Sequence, residues 1–548
     1  MLTTLLLAIN LSFSSPVRHE LSLAGNFGEP RPHHFHGGID VRTDGVEKKA
    51  VLSVADGYVS RVTTGLLGFG NAVYITHPNG VTTVYAHLHS FSSRIEELVK
   101  RYRYKHECSL TTDAHFAPWE CPVSEGQFIA FSGNTGSSTA PHLHLEFHDT
   151  KTWKMLDPLN YLSEFVSDSV PPMAHGFMAY PQYGKGVFCG GSAKQNYGFT
   201  SNTMERHFTA WGKVGFAIWA DDYTQTAYNH LGVRNTRLLC DGKEVFSSTV
   251  DSIPIYSNRQ INIWGDYEHF RRTRVWYLKS FIEPGCRLYF MRADENRGII
   301  DFNEERTYTL EYILKDHKGN ESSYTFFVEG TPTPLPKSVK KNSRQTMRCN
   351  ITSQYSLPGM QLVIPSGMIG NDIVLHPVTT PCEEDMLSAK YSFYDKSCPL
   401  VNDVELGIYV KQEVKDPSKL YIRSNMRKYL GGEYKNGWVT CGIRELGNAY
   451  EVAYDDEKPI INTVGEPESW TSTGTIRLAL SDKESGLKEY KVCIDGRFVY
   501  FAPQEKSNVV LCRLKDTPVK KTGKSHRLTV SATDNRNNTA TYTTRFTW

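Results

Sequence analysis

The chain has 548 residues, a formal net charge of +2 and 39% hydrophobic content. That length is too great for one hydrophobic core and implies three or four domains, while the near-neutral charge excludes a general basic field of the kind that attracts nucleic acid or a membrane surface. Thirty tyrosines and twenty-six phenylalanines suit β-sheets.

In chain order, residues 1–15 (MLTTLLLAINLSFSS) combine a short apolar run with small residues at Ser12 and Ser14. They are expected to form a secretory signal that lacks the usual positive start; the competing expectation is a first strand. No other stretch approaches the length of an apolar membrane span. Between 20 and 165, VLSVADGYVSRV, NAVYITH and VTTVYAHL are β-branched and aromatic runs separated by turn signals at LLGFG and HPNG, which predicts an antiparallel sheet. SSRIEELVKRYRYK at 92–105 has helical spacing and is expected either to narrow a groove or to cap a sheet edge.

Polar chemistry concentrates in HGGID at 36–40, YAHL at 85–88 and HLHLE at 142–146. Gly37 and Gly38 argue against a helix at the first cluster, so a loop entering a strand is expected there. The alternation in the third cluster sets His142 and His144 on one face of a strand and turns Leu143 and Leu145 into the core. A catalytic zinc takes three protein ligands, imidazole or carboxylate, and leaves a position for water. His36, Asp40 and one histidine of the 142/144 pair meet that count. His33 and His34 compete formally with His36 but have no carboxylate four residues on. Tyr85 is expected to share the face of His87 and to act in packing; His89 and His148 are expected to be solvent-exposed.

These segments, with FGEPRPHHFHGGIDV at 27–41, VADGYV at 54–59, GFGNAVYITHPNG at 68–80, EGQFIAFSGNTGSS at 125–138 and PHLHLEF at 141–147, resemble in sequence and order the lysostaphin-type (LytM-like) zinc endopeptidases of bacterial cell-wall turnover. The resemblance implies one Zn2+ per catalytic domain, with His36, Asp40 and His144 as metal ligands and His87 and His142 as a catalytic pair outside the metal shell. It also implies a peptidoglycan peptide as substrate. Since some relatives have lost ligands and only activate other hydrolases, the complete five-residue set favours an active enzyme over a scaffold or amidase activator. An adhesin-like surface protein with an ancillary peptidase is the remaining alternative.

Beyond DSVPP at 168–172 the chain is strand-rich. GVRNTRLLCDGKEVF at 232–246 parallels GLKEYKVCIDGRFVY at 486–500, and each copy is followed by a strand ending in an Asp and, four residues on, an Asn: Asp316 with Asn320, Asp534 with Asn538. Such repeats suit immunoglobulin-like sandwiches, expected at 166–332 and 453–548. A third β-sandwich is expected at 333–452, after the linker PTPLPKSVKK. Turn chemistry accounts for Asp241, Asp316, Asp495 and Asp534 without a metal. The fold class expected is therefore mainly β: an antiparallel zinc-peptidase domain at 16–165 followed by three β-sandwich modules. Eleven cysteines without a CxxC pair disfavour a thiolate zinc cluster. After export to the periplasm or cell envelope, disulfides are expected at Cys108–Cys121, Cys382–Cys398 and Cys493–Cys512, and the sandwiches are available to envelope protein partners.

Overall fold

The computed structural model describes residues 12–337, 345–381, 386–425 and 427–548. The chain is mainly β, as its composition predicts. The first domain is built on one large antiparallel sheet, beside a smaller sheet of Ala50–Leu52, Phe128–Phe131 and Ser90–Phe91. The principal strands of the large sheet are β1 (Leu23–Gly25), β2 (Ile39–Arg42), β3 (Gly57–Thr64), β4 (Ala72–Thr76), β5 (Val81–Ala86), β6 (Thr112–His115) and β7 (His142–Asp149), in the order β1-β2-β7-β5-β4-β3-β6. The HPNG signal forms the β4–β5 turn, closed by His77 N–H on the Val81 carbonyl (2.9 Å), with Gly80 at a positive φ of 83°.

The sheet brings the first and third polar clusters together because β7 lies between β2 and β5. His144 pairs with Asp40 on one side and with Ala86 on the other. On the opposite face Leu143, Leu145 and Phe147 join Ile39, Val41 and Tyr85 in a core that excludes water from all six. Each fully buried side chain of this size contributes about 1.5–3 kcal/mol. A slip of one residue would exchange the faces and drive His144 into that core, so hydrophobic packing sets the register of the polar cluster.

Helix α1 (Ser93–His106) forms where helical spacing predicts it and ends at Glu107 in the left-handed region. It lies against the edge strand β6, as one of the two expectations has it, with Arg103 Nε donating to the Thr112 hydroxyl, and it also serves the last module. Ile95, Leu98 and Val99 pack on the first domain, while Arg103 stacks over the Tyr500 ring (4.3 Å), Lys100 donates to the Asp516 carbonyl and Leu110 enters the core of the last module. The helix thus docks the C-terminal end of the chain onto the first domain, reinforced by an ion pair between Glu107 and Lys491.

The second module surrounds an aromatic core that includes Phe177, Phe208, Phe216 and Phe326, and it lends strand Ser252–Ile253 to the first domain through pairing with Met155–Leu156. The third and fourth modules are each built mainly from two sheets that face a common core. Both DG repeats make hairpin turns with positive φ at both residues, Asp241–Gly242 and Asp495–Gly496, the geometry that matches strand twist.

Several expectations are corrected. Cys108, Cys121, Cys493 and Cys512 are free thiols, so bridges 108–121 and 493–512 do not form. Cys493 lies between Val492 and Ile494, which point inward, and so faces away from the core that contains Cys512. Cys121 is buried in the core of the first domain, whereas Cys108 sits just past the end of the helix with its thiol near the His106 carbonyl. Cys398 is also free; Cys382 lies outside the described residues. Of the expected leader, residues 1–11 lie outside the described residues, and Phe13 is packed against Phe147 and Tyr161 with Ser14 N–H bonded to the Val54 carbonyl. Among the described residues no helix is long and apolar enough to cross a membrane.

Tyr85 lies in the core, where its hydroxyl accepts the Val54 N–H at 2.9 Å. Replacing Tyr85 by Phe leaves that amide unpaired and is expected to destabilise the chain by about 1–3 kcal/mol in a urea titration, with no change in hydrolytic rate.

Candidate metal centre

The loop before β2 delivers His36, and strand β2 itself carries Asp40. Gly38 is needed there because a Cβ would collide with the Leu145 carbonyl of β7, and at Gly37 a Cβ would come within 2.5 Å of Glu146 Oε1. This explains the HGGID spelling: the loop must lie flat on β7 to bring its histidine to the face of His144.

Three donor atoms then converge. His36 Nε2 is 3.0 Å from Asp40 Oδ1 and 3.1 Å from His144 Nδ1, which is 2.8 Å from Asp40 Oδ1. All three residues are buried. A tetrahedral zinc with bonds of about 2.0 Å spaces its ligand atoms about 3.3 Å apart, close to these separations. The far atoms show what the near ones can do. His36 Nδ1 donates to the Asn26 carbonyl (2.7 Å) and His144 Nε2 to Glu146 Oε1 (2.9 Å). A carbonyl or carboxylate only accepts, so each neutral imidazole carries its proton on the far side and turns a lone pair inward. Asp40 Oδ2 takes Arg31 Nη2 (3.1 Å), which leaves Oδ1 for the centre.

Three lone pairs facing one another require a positive charge between them. Burial alone would depress His144, but the hydrogen bonds its ring makes to the Asp40 and Glu146 carboxylates outweigh it and push the imidazole up to about 10. Burial likewise opposes ionisation of Asp40, yet His36 and the hydrogen bonds of His142 and His144 hold its carboxyl well below the usual range. Without a metal a proton occupies the gap; a divalent cation displaces it and uses the same donors. The residues present therefore fit a zinc ion.

His87 and His142 border this centre, their rings 4.9 Å apart. Each uses Nδ1 to donate to a carbonyl at 2.8 Å, that of Thr135 for His87 and of Ala140 for His142, so both present Nε2 inward. His142 Nε2 lies 3.3 Å from Asp40 Oδ1. Burial, then repulsion from His144 and His142, pushes His87 down to about 4. The strand alternation of YAHL does not place His87: continuing β5 would send it to the core with Tyr85. A left-handed backbone at His87 (φ 59°) instead turns the ring to the other face. His144 also lies within reach of His87 and His142 as a second three-residue set, but that set has no carboxylate and its other two members are only half-buried.

His33 and His34 stay outside the centre; His33 Nε2 is hydrogen-bonded to the Tyr267 hydroxyl (3.0 Å) and His34 Nδ1 donates to the Pro32 carbonyl. His89 is exposed and paired with Glu47. His148, expected at the surface, is buried, because Glu146 Oε2 accepts its Nε2 (2.6 Å) and its ring stacks on Trp153 at 4.5 Å. The polar face of β7 is thus the run His142, His144, Glu146 and His148, visible in sequence as an extended HxHxExH alternation. Contacts from the second module were not legible. Asn258 accepts the Phe35 N–H, Phe35 packs on Trp264 and Phe290, and Asn26 makes two bonds with the Gly232 backbone. Around the centre runs a groove of about 890 Å³ lined in part by Phe69, Tyr74, Ser137, Trp153 and Ile255.

Two imidazoles and a carboxylate at one point, with two further imidazoles over a groove, define a metallopeptidase type of site. In keeping with this, residues 34–103 match Peptidase family M23, so the chain carries an M23 peptidase domain. Residues 344–455 match a Zu5-like domain. The chain is 37% identical over 113 residues to the DD-carboxypeptidase/endopeptidase Mpg of Neisseria meningitidis serogroup B, a match covering 20% of each chain. It is 30% identical over 139 residues to an uncharacterized metalloprotease of Haemophilus influenzae, covering 24% of each. These matched stretches span about a fifth to a quarter of the relatives' length. The catalytic domain of lysostaphin from Staphylococcus simulans aligns over 26% of this chain and 92% of its own, with 20% identity and a TM-score of 0.20.

Glu146 fixes the tautomer and orientation of His144 without facing the centre. Substitution Glu146→Gln is expected to weaken metal binding about 10–100-fold, read by competition against a chromogenic chelator, with activity recovered at excess zinc.

Proposed function

We propose that this chain is a zinc-dependent endopeptidase acting on the peptides of bacterial peptidoglycan, exported to the periplasm or cell envelope. The observation that carries the reading is the inward-facing set of His36 Nε2, Asp40 Oδ1 and His144 Nδ1, beside two further imidazoles whose Nε2 atoms face the groove, that of His142 in contact with Asp40 Oδ1. When bound, zinc supplies Lewis acidity that lowers the pKa of water and polarises a scissile carbonyl. The chain's own contribution is positional. Asp40, steered by Arg31, offers a single oxygen, and Glu146 keeps the His144 lone pair on the inner side. His87 and His142 hold Nε2 at the groove, where one can take a proton from the attacking water and the pair can return it to the leaving amine. Burial keeps His87 unprotonated above about pH 4, so its acceptor form is present throughout the neutral range and is lost only on strong acidification.

The substrate class rests on the M23 match and on the activity for which the Neisseria relative is named. A scaffold or amidase activator would have no need of the complete five-residue set, and the second-domain contacts that hold Asn26 and Phe35 around His36 speak for a site kept in working geometry.

The test is digestion of purified peptidoglycan and its muropeptides, with product masses recorded. The zinc-loaded chain is expected to release peptide-cleaved products; His87→Ala and His142→Ala are each expected to lower kcat by about 10²–10⁴-fold while retaining their zinc. Glycan-cleaved products, or unchanged rates in both variants, would contradict the reading.

A further inference from the structure

The junction between the first domain and the second module holds another group of ligand-type side chains. Asp168 lies in the segment leaving the first domain, Asp222 near the end of strand Thr203–Thr224, and His317 in the turn after strand Thr307–Lys315. One donor atom from each lies within 4.8 Å of the others. The Asp168 side chain is fully buried, that of His317 is 4% exposed and Asp222 is 2% exposed. Among the described residues no donor reaches Asp168 Oδ2 or Asp222 Oδ1, and His317 Nε2 has no partner. The approach of His317 Nδ1 to Asp168 Oδ2, 3.8 Å, is too long for a hydrogen bond. Unpaired polar atoms in a dry place are costly, and here they converge.

Local turn chemistry does not absorb them. Asp168 Oδ1 accepts the Val170 amide. Asp316 uses Oδ1 for the amides of Lys318, Gly319 and Asn320 and Oδ2 for the Asn320 side chain, and its carboxylate adds negative charge beside Asp168. Burial, with the charges of Asp316 and Asp168, pushes Asp222 up to about 8, and burial drives His317 down to about 4. With His317 neutral, Asp222 is held protonated in the absence of a cation, and a divalent ion would take the place of that proton. The last module provides an internal contrast. Asp455, Asp482 and Asp534 form a similar cluster, but amides of Glu457, Ser485, Gly486, Arg536 and Asn538 reach its carboxylates.

We propose that Asp168, Asp222 and His317 bind a structural divalent metal ion of the zinc type at the entry to the second module. One imidazole with two carboxylates suits zinc, whereas calcium asks for six to eight oxygens, more than this pocket offers. The ion ties the segment leaving the first domain to the module that holds Asn26 and Phe35 around His36, and so steadies the loop of the groove site from a distance.

The test counts zinc per full-length chain by native mass spectrometry after chelator treatment and reloading, in parallel with calcium and manganese. The natural chain is expected to carry two zinc ions, His144→Ala one, Asp222→Asn one and the double variant none. His317→Gln must also lose one ion, which decides the matter if Asp222→Asn fails to fold. A natural chain with a single zinc that disappears in His144→Ala overturns this site and leaves the groove site standing; loss of an ion in Asp222→Asn alone does the reverse. Calcium binding in place of zinc, abolished by Asp222→Asn, overturns the metal assignment.

Discussion

The outward hydrogen bonds of four imidazoles are the constraint on which the groove depends. His36, His87 and His142 each donate from Nδ1 to a backbone carbonyl, and His144 donates from Nε2 to Glu146. Each bond is worth little to stability on its own, about 0.5–1.5 kcal/mol or somewhat more to a charged acceptor. Their common effect is larger, since together they fix which nitrogen of each ring is free and point all four free nitrogens at one region. Asp40, split between Arg31 and the centre, completes the arrangement.

This geometry is held in layers. Packing of Leu143, Leu145 and Phe147 sets the register of the central strand, and that register sets His144 opposite Asp40. The second module then fastens the loop that carries His36, through Phe35 and Asn26, while the last module grips α1 and Leu110 on another part of the same domain. Residues far apart in sequence therefore converge on the peptidase domain from two sides. Because the second module shares a core and a strand pairing with that domain and the last module packs on Leu110, both belong to the architecture of the site as well as to whatever they bind.

Much of this was legible from sequence where local chemistry and global structure agree. The HxH alternation gave the shared face of His142 and His144, the double glycine gave a flat loop, and DG gave the hairpin turns. Legibility failed where one backbone angle or a distant partner decides. His87 reaches the groove only because its backbone turns left-handed, which strand periodicity cannot foresee. His148 is buried because Glu146 and Trp153 enclose it. The cysteine bridges failed because proximity in sequence says nothing about which face a thiol occupies, as Cys493 and Cys512 illustrate. The docking of α1 on the last module depends on Tyr500, about four hundred residues later, and no local pattern encodes it.

Outward hydrogen bonding preselects the inward donor atoms. A crystal structure of the zinc-loaded chain, with the metal located by anomalous scattering, tests it most directly. One ion is expected in the groove about 2.0–2.2 Å from His36 Nε2, Asp40 Oδ1 and His144 Nδ1, with Glu146 still accepting from His144 Nε2 and with His87 and His142 unbonded to the metal. A zinc held through His144 Nε2, or one centred on His87 and His142 in place of His36 and Asp40, would contradict it.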